Sequence, residues 1–113
     1  MTKKSCLVLV LMLFFLQGIA VNAVPQDVPK KAVKYVTKGN KKLESQKFED
    51  ALEYFDKAIK LAPTYDLAYI GKANVYVKQA NKVEAEKAFQ LALEKSPQSM
   101  EAKKAFKDFL FNE

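Results

Sequence analysis

The chain has 113 residues, room for one small domain. It contains no histidine, one cysteine at position 6, and 19 basic residues that are all lysines, against 13 acids, for a net charge of +6. That composition leaves no imidazole for acid–base or metal chemistry and no disulfide framework, and its basic excess favours solubility and mild attraction to acidic surfaces without defining a partner.

The first stretch reads as a targeting segment. Lys3 and Lys4 form a short basic region, Cys6 to Leu16 is an almost unbroken apolar run, and Gly18, Ala20 and Val21-Asn22-Ala23 place small residues at the spacing a signal peptidase reads. The expected cut follows Ala23, with Ala20 the lesser site, giving residues 1–23 as signal and a secreted or periplasmic mature chain. The competing reading is a membrane anchor over residues 5–24, which carry no charge. A span needs about 20 apolar residues, and here Gln17 and Asn22 interrupt the end of a shorter run. Cys6 lies before that run rather than after it, which argues against a lipoprotein. Cleavage removes the only cysteine and leaves 17 lysines against 13 acids, a net +4.

Residues 24–31 form a linker, after which a repeat begins. At an offset of 34, Tyr35 matches Tyr69, Lys38 matches Lys72, Asn40 matches Asn74, Ala51 matches Ala85, Phe55 matches Phe89, Ala58 matches Ala92 and Pro63 matches Pro97. Val36/Ile70, Leu43/Val77 and Ile59/Leu93 are conservative pairs in the same register. Tyr35, Gly39 and Leu43 stand four apart, as one face of a helix requires. Ala51, Phe55 and Ala58 form a second such face, copied by Ala85, Phe89 and Ala92. In each, two small residues let a neighbouring helix approach while the ring fills the gap. Pro63 and Pro97 end each second helix.

These signals predict helices over 30–45, 48–61, 66–79, 82–95 and 99–111. Asn81 followed by Glu84 reads as a capping box, and Thr64 or Asp66 is the expected cap of the third helix. Tyr35, Phe55, Tyr69 and Phe89 are assigned to the core, while Tyr54 and Tyr65 fit either core or surface. In the tail, Ala102, Ala105, Phe106, Phe109 and Leu110 form an apolar stripe opposite Lys103, Lys104, Lys107 and Asp108. Two stacked hairpins fall below the usual minimum for a stable array, and this helix supplies the missing neighbour.

On these residues the segment from Ala32 to Ser99 resembles two tetratricopeptide repeats, 32–65 and 66–99, closed by a helix over 100–113. The small residue of the family pattern is present as Gly39 and Ala73, and the small–aromatic–small face and terminal proline occur twice. The family's opening Trp is Tyr in both copies. Lys38 and Lys72 stand where Leu is usual, and Lys42 replaces an apolar residue that the second copy has as Tyr76. The Gly common between paired helices is Gln46 in one copy and Ala80 in the other. These departures imply a looser first helix with Lys38 and Lys42 snorkelling along its edge.

The resemblance implies an all-α fold of antiparallel helix hairpins, a fragment of a right-handed α-solenoid. It also implies that the first helix of each hairpin lines a concave face where partner peptides lie. Carried over, that face holds Val33, Val36, Asn40, Leu43 and Glu44, then Leu67, Ile70, Asn74, Val77 and Lys78. Glu101, Lys104 and Asp108 extend it from the closing helix. The family's carboxylate-clamp variant places a Lys where this chain has Val36 and a second Asn where it has Gly71. It places basic residues where this chain has Glu101 and Ala105, so only Asn40 fits and that variant is not expected.

The expected function is therefore non-catalytic binding of a protein or peptide partner, with self-association or a membrane-tethered scaffold as the alternative. No cofactor or metal is implied. Glu49, Asp50, Glu53 and Asp56 cluster beside Lys57 and Lys60 as a solvated helix face, with no nucleophile–base pair to assemble around them. Lys30, Lys31, Lys34, Lys38, Lys41 and Lys42 make a dense basic edge, but without Arg readers nucleic acid is not an expected partner. The edge reads as a solvated face, or as a docking site for an acidic partner or anionic membrane surface.

Overall fold

A computed structural model describes residues 28–112, so the expected signal segment 1–23 lies outside the described residues. Five helices follow in order: α1 (Lys30–Glu44), α2 (Phe48–Leu61), α3 (Asp66–Lys78), α4 (Lys82–Lys95) and α5 (Met100–Phe111). Among the described residues there are no strands. Their ends lie within a residue of the positions the periodicity predicts. The breaks have local causes. Ala62 and Ser96 each precede a proline and leave the helical region, at φ −142° and −136°, which ends α2 and α4.

The helices pair as antiparallel hairpins, α1 with α2 and α3 with α4, and these are the most extensive contacts between described helices. The hairpins stack through α2 on α3, and α5 closes the array against both α3 and α4. α3 is the central element. It buries Ala68, Tyr69, Ile70, Gly71, Ala73 and Val75, facing α2 on one side and α4 on the other, so its apolar residues surround it instead of forming one stripe.

The core has two layers. The first centres on Phe55, fully buried among Ala32, Val36, Ala51, Ala58, Ala68 and Val75. The second centres on Phe89, with Tyr69, Ile70, Ala73, Ala92 and Ala102. Ile59 packs against both. Phe55 fills a slot made by two glycines on two different helices. A Cβ on Gly39 of α1 would stand 2.7 Å from Phe55 Cε1, and one on Gly71 of α3 would stand 2.3 Å from the same atom. The sequence marks Gly39 as a packing residue; it gives Gly71 no such role. In the second layer Phe89 meets rings, with centroids 5.7 Å from Phe106 and 5.3 Å from Phe109.

Polar contacts fix the joints. Tyr69 donates its hydroxyl to Pro63 O at 2.7 Å, and burial pushes that hydroxyl's pKa up from its usual value. Ser96 donates to Thr64 O at 2.6 Å, tying the α4–α5 link to the α2–α3 link. Ser99 caps α5 by accepting from Ala102 N, and its hydroxyl donates to Asp66 at the start of α3. Lys72 of α3 pairs with Asp56 of α2 at 2.7 Å.

Two expectations need correction. The residue before α3 is Tyr65, with no side-chain cap; Thr64 does not cap it, and Asp66 accepts from Leu67 N and from Ser99 instead. Asn81 does cap α4, accepting from Glu84 N at 3.3 Å, but Glu84 completes no reciprocal bond and pairs with Lys87. Where family residues are replaced, α1 still runs unbroken from Lys30 to Glu44. Lys38 stays exposed with its ammonium over the Tyr54 ring at 5.8 Å, and Lys42 is half-buried. Of the two tyrosines left open, both Tyr54 and Tyr65 are half-buried, as is Tyr35.

The turns inside each hairpin keep the glycine geometry without the glycine. Gln46 and Ala80 have φ of 59° and 58°. Around each, two bonds satisfy the last carbonyls: Lys47 N to Lys42 O with Gln46 N to Leu43 O, and Asn81 N to Tyr76 O with Ala80 N to Val77 O. This is a Schellman closure, in which glycine normally occupies the left-handed position.

Two outcomes follow for stability. Gly71→Ala should lower stability by about 1–3 kcal/mol in urea unfolding, because the overpacking at a fully buried ring outweighs the roughly 1 kcal/mol Ala gains over Gly in a helix. The double variant with Phe55→Leu should show a non-additive recovery, the mark of direct contact. Conversely, Gln46→Gly and Ala80→Gly should each raise stability by about 1 kcal/mol, since a side chain in left-handed backbone is strained; unchanged unfolding midpoints would contradict this.

Candidate functional site

Helices α1, α3 and α5 neighbour one another in series, while α2 and α4 make no comparable contact with each other among the described residues. The first helices therefore share one side of the stack. On that side the 34-residue register lines up Asn40, Asn74 and Asp108, and next to them Leu43, Val77 and Phe111. A polar row thus runs beside an apolar row across three helices.

The ten residues expected on this side divide by burial. Val33, Asn40, Glu44, Leu67, Asn74, Val77 and Lys78 are exposed, and Leu43 is half-buried. Val36 and Ile70 are buried, with 5% and 9% of their surface accessible. They belong to the first and second core layers and support the surface from beneath instead of offering it. The carboxamides of Asn40 and Asn74 make no hydrogen bond to another described residue, leaving donor and acceptor free on each. Val33, Leu67 and Val77 are large apolar side chains held in water.

Part of this side deepens into a cleft of about 580 Å³ between α3, α4 and α5. Asn74 and Val77 line one wall, and Ala105, Asp108 and Phe109 line the other. Phe89 lies at its inner end, and Ala80 and Lys82 at the α3–α4 turn complete it. Of the ten expected residues only Asn74 and Val77 line the cleft; the α1 residues lie outside it. Its physical origin is the difference between the two layers. Gly71 lets Phe55 seat deeply against α3, whereas Ala105 and the stacked rings of Phe106 and Phe109, 6.4 Å apart, meet Phe89 on α5. α5 accordingly packs less extensively on α4 than α3 does on α2.

By periodicity Phe89 is a core ring, and Ala105 and Phe109 belong to the apolar stripe of the closing helix. Adding 34 to Gly71, Asn74 and Val75 reaches Ala105, Asp108 and Phe109, so the repeat register carried the signal. What it did not carry was the separation of α5 from α4.

A second cluster lies on the opposite side of the first hairpin. Tyr35 and Tyr54 have ring centroids 6.1 Å apart, with Lys31 over Tyr35 and Lys57 over both rings. Lys57 also bonds Glu53 at 2.9 Å; that hydrogen bond and charge hold the Glu53 carboxyl below its ordinary pKa and hold Lys57 above its own. Both groups are exposed, so the pair contributes little to stability. No described helix is long and apolar enough to cross a membrane.

The family model described as "Tetratricopeptide repeat" matches residues 42–106, more than half of the chain, from the last turn of α1 into α5. Among curated proteins, none matches the chain.

Proposed function

Because the chain belongs to the tetratricopeptide repeat family, whose members generally mediate protein–protein interaction, we propose that it is a non-catalytic module that holds an extended segment of another protein along α1, α3 and α5. The observation that carries this reading is the paired row of free amides and exposed aliphatics, Asn40 and Asn74 beside Val33, Leu67 and Val77. An extended peptide presents a backbone donor and acceptor at every residue and alternates its side chains. Amides that can give and accept fix such a backbone, and the apolar row takes its side chains. The cleft at Asn74, Val77 and Asp108 would admit one larger side chain against Phe109 and Phe89. Export directed by residues 1–23 would put the partner among exported proteins.

Replacing Asn40 and Asn74 together with Ala should reduce capture of a partner from the exported fraction roughly ten-fold or more, the loss of two net hydrogen bonds of about 1 kcal/mol each. Both positions are exposed, so the thermal midpoint should not move. Undiminished capture by a folded double variant refutes the groove.

A second reading, self-association, rests on a different observation. At the open end of the stack Met100 and Phe111 keep 74% and 78% of their surface accessible, with Leu110 beside them, more apolar surface than a closing helix needs to expose. Light scattering over a concentration series decides it: mass should rise with concentration, and Leu110→Ser with Phe111→Ser should abolish the rise. A mass that stays monomeric dismisses self-association and leaves the groove reading intact.

A further inference from the structure

We propose that the outer side of α1 is a docking face for anionic phospholipid surfaces, independent of the groove. The repeat register shows what this side of a first helix ordinarily holds. On α3 the three positions are Ala68, Gly71 and Val75, all buried on the side that meets α2. On α1 the same positions are Lys34, Thr37 and Lys41, all exposed. No second helix has an apolar seat there.

With Lys30, these residues form one straight stripe at helical spacings of four, three and four. Lys31, Lys38 and Lys42 form a second stripe beside it. Glu44, the last residue of α1, is its one carboxylate. None of the six lysines makes an ion pair with a described residue. The other helices mix their charges; α2, for example, sets Glu49, Asp50, Glu53 and Asp56 beside Lys57 and Lys60. The basic excess of the described chain is concentrated on one helix.

At its start the same helix is charged against its own dipole, whereas Lys41 and Lys42 in its last turn complement it. Its first turn holds Lys30 and Lys31, no carboxylate and no side-chain cap, where unpaired amides already present positive charge. That arrangement is unfavourable in the free protein, and an external anion relieves it.

The chemistry of the stripe selects among anions. Docking to a folded protein draws on desolvated apolar or aromatic anchors, and the Lys30–Lys34–Thr37–Lys41 stripe has none. Fixed carboxylates and phosphates are best held by the planar fork of Arg, and the chain has no Arg. Lysines on flexible stems suit mobile charges spread over a plane, and each adds to the attraction within a Debye length. At the margin of the face stand Tyr35 and Tyr54, ringed by Lys31, Lys38 and Lys57 at 5.9, 5.8 and 5.4 Å from ring centroids. Such amphipathic rings favour the headgroup layer.

The test is co-sedimentation of the full chain with vesicles of phosphatidylcholine alone and of phosphatidylcholine mixed with phosphatidylglycerol. Preferential binding to the anionic vesicles is expected, and it should vanish as salt rises from about 0.1 M to about 1 M, where the Debye length falls from about 10 Å to about 3 Å. The apolar run Cys6–Leu16, if retained, adds equally to both vesicle types, and the contribution of Lys3 and Lys4 beside it is the same in both lysine triples and cancels in their comparison. Lys34→Gln, Lys38→Gln and Lys41→Gln together should reduce the anionic preference roughly a hundred-fold, about five-fold per lysine. A matched triple elsewhere, Lys95→Gln, Lys103→Gln and Lys107→Gln, should reduce it far less. Equal binding to both vesicles, equal losses in the two triples, or capture of poly-glutamate without any anionic vesicle preference each overturns the proposal. In the unmodified chain, an anionic preference that survives about 1 M salt likewise overturns it, even where a variant folds poorly.

Discussion

The insertion of one ring between two glycines holds the stack in register. Phe55 belongs to α2, yet its edge reaches both Gly39 on α1 and Gly71 on α3, so three helices from two hairpins meet at a single side chain. Neither glycine is there for backbone freedom, since both are helical. Each is there because a methyl group would occupy the space of the ring. The contact within a hairpin and the contact between hairpins therefore depend on each other, which is how a short array gains cooperativity from units that cannot fold singly.

The second layer repeats this plan with different parts, and the difference creates the cleft. Phe89 occupies the place of Phe55, but Ala73 and Ala105 stand where the first layer has glycine, and Phe106 and Phe109 crowd its outer side. Aromatic rings at 5 to 6 Å are favourable in offset geometry and hold α5 as a lid over the apolar end of the array. They do so at a greater standoff than the glycine slot allows. The stack is consequently tight at its start and open at its finish, and the exposed polar row ends in the open region at Asn74 and Asp108.

Charge is segregated along the same axis. α1 carries lysines that pair with no described carboxylate and ends the array on a polar face, while α5 ends it on an exposed apolar tip. The two ends present different surfaces to solvent. The row of amides between them belongs to neither end and depends only on α1, α3 and α5 lying side by side.

The sequence alone determined the helices, their pairing and the two core rings. The 34-residue register, the alternation of small and aromatic residues, and the prolines at 63 and 97 are local or periodic constraints, and such constraints are readable without coordinates. The row along α1, α3 and α5 came from the resemblance to the repeat family, carried over position by position, and not from spacing alone. Only the tertiary structure decided three things. Gly71 became a packing residue because α3 meets Phe55 from the previous hairpin, a contact no local pattern encodes. Val36 and Ile70 went under the surface because they pack into the first and second core layers, a burial set by neighbouring helices and not by spacing along their own. The turns at Gln46 and Ala80 kept left-handed backbone without glycine because the bonds closing each hairpin, and the packing behind them, outweigh a strain of order 1 kcal/mol.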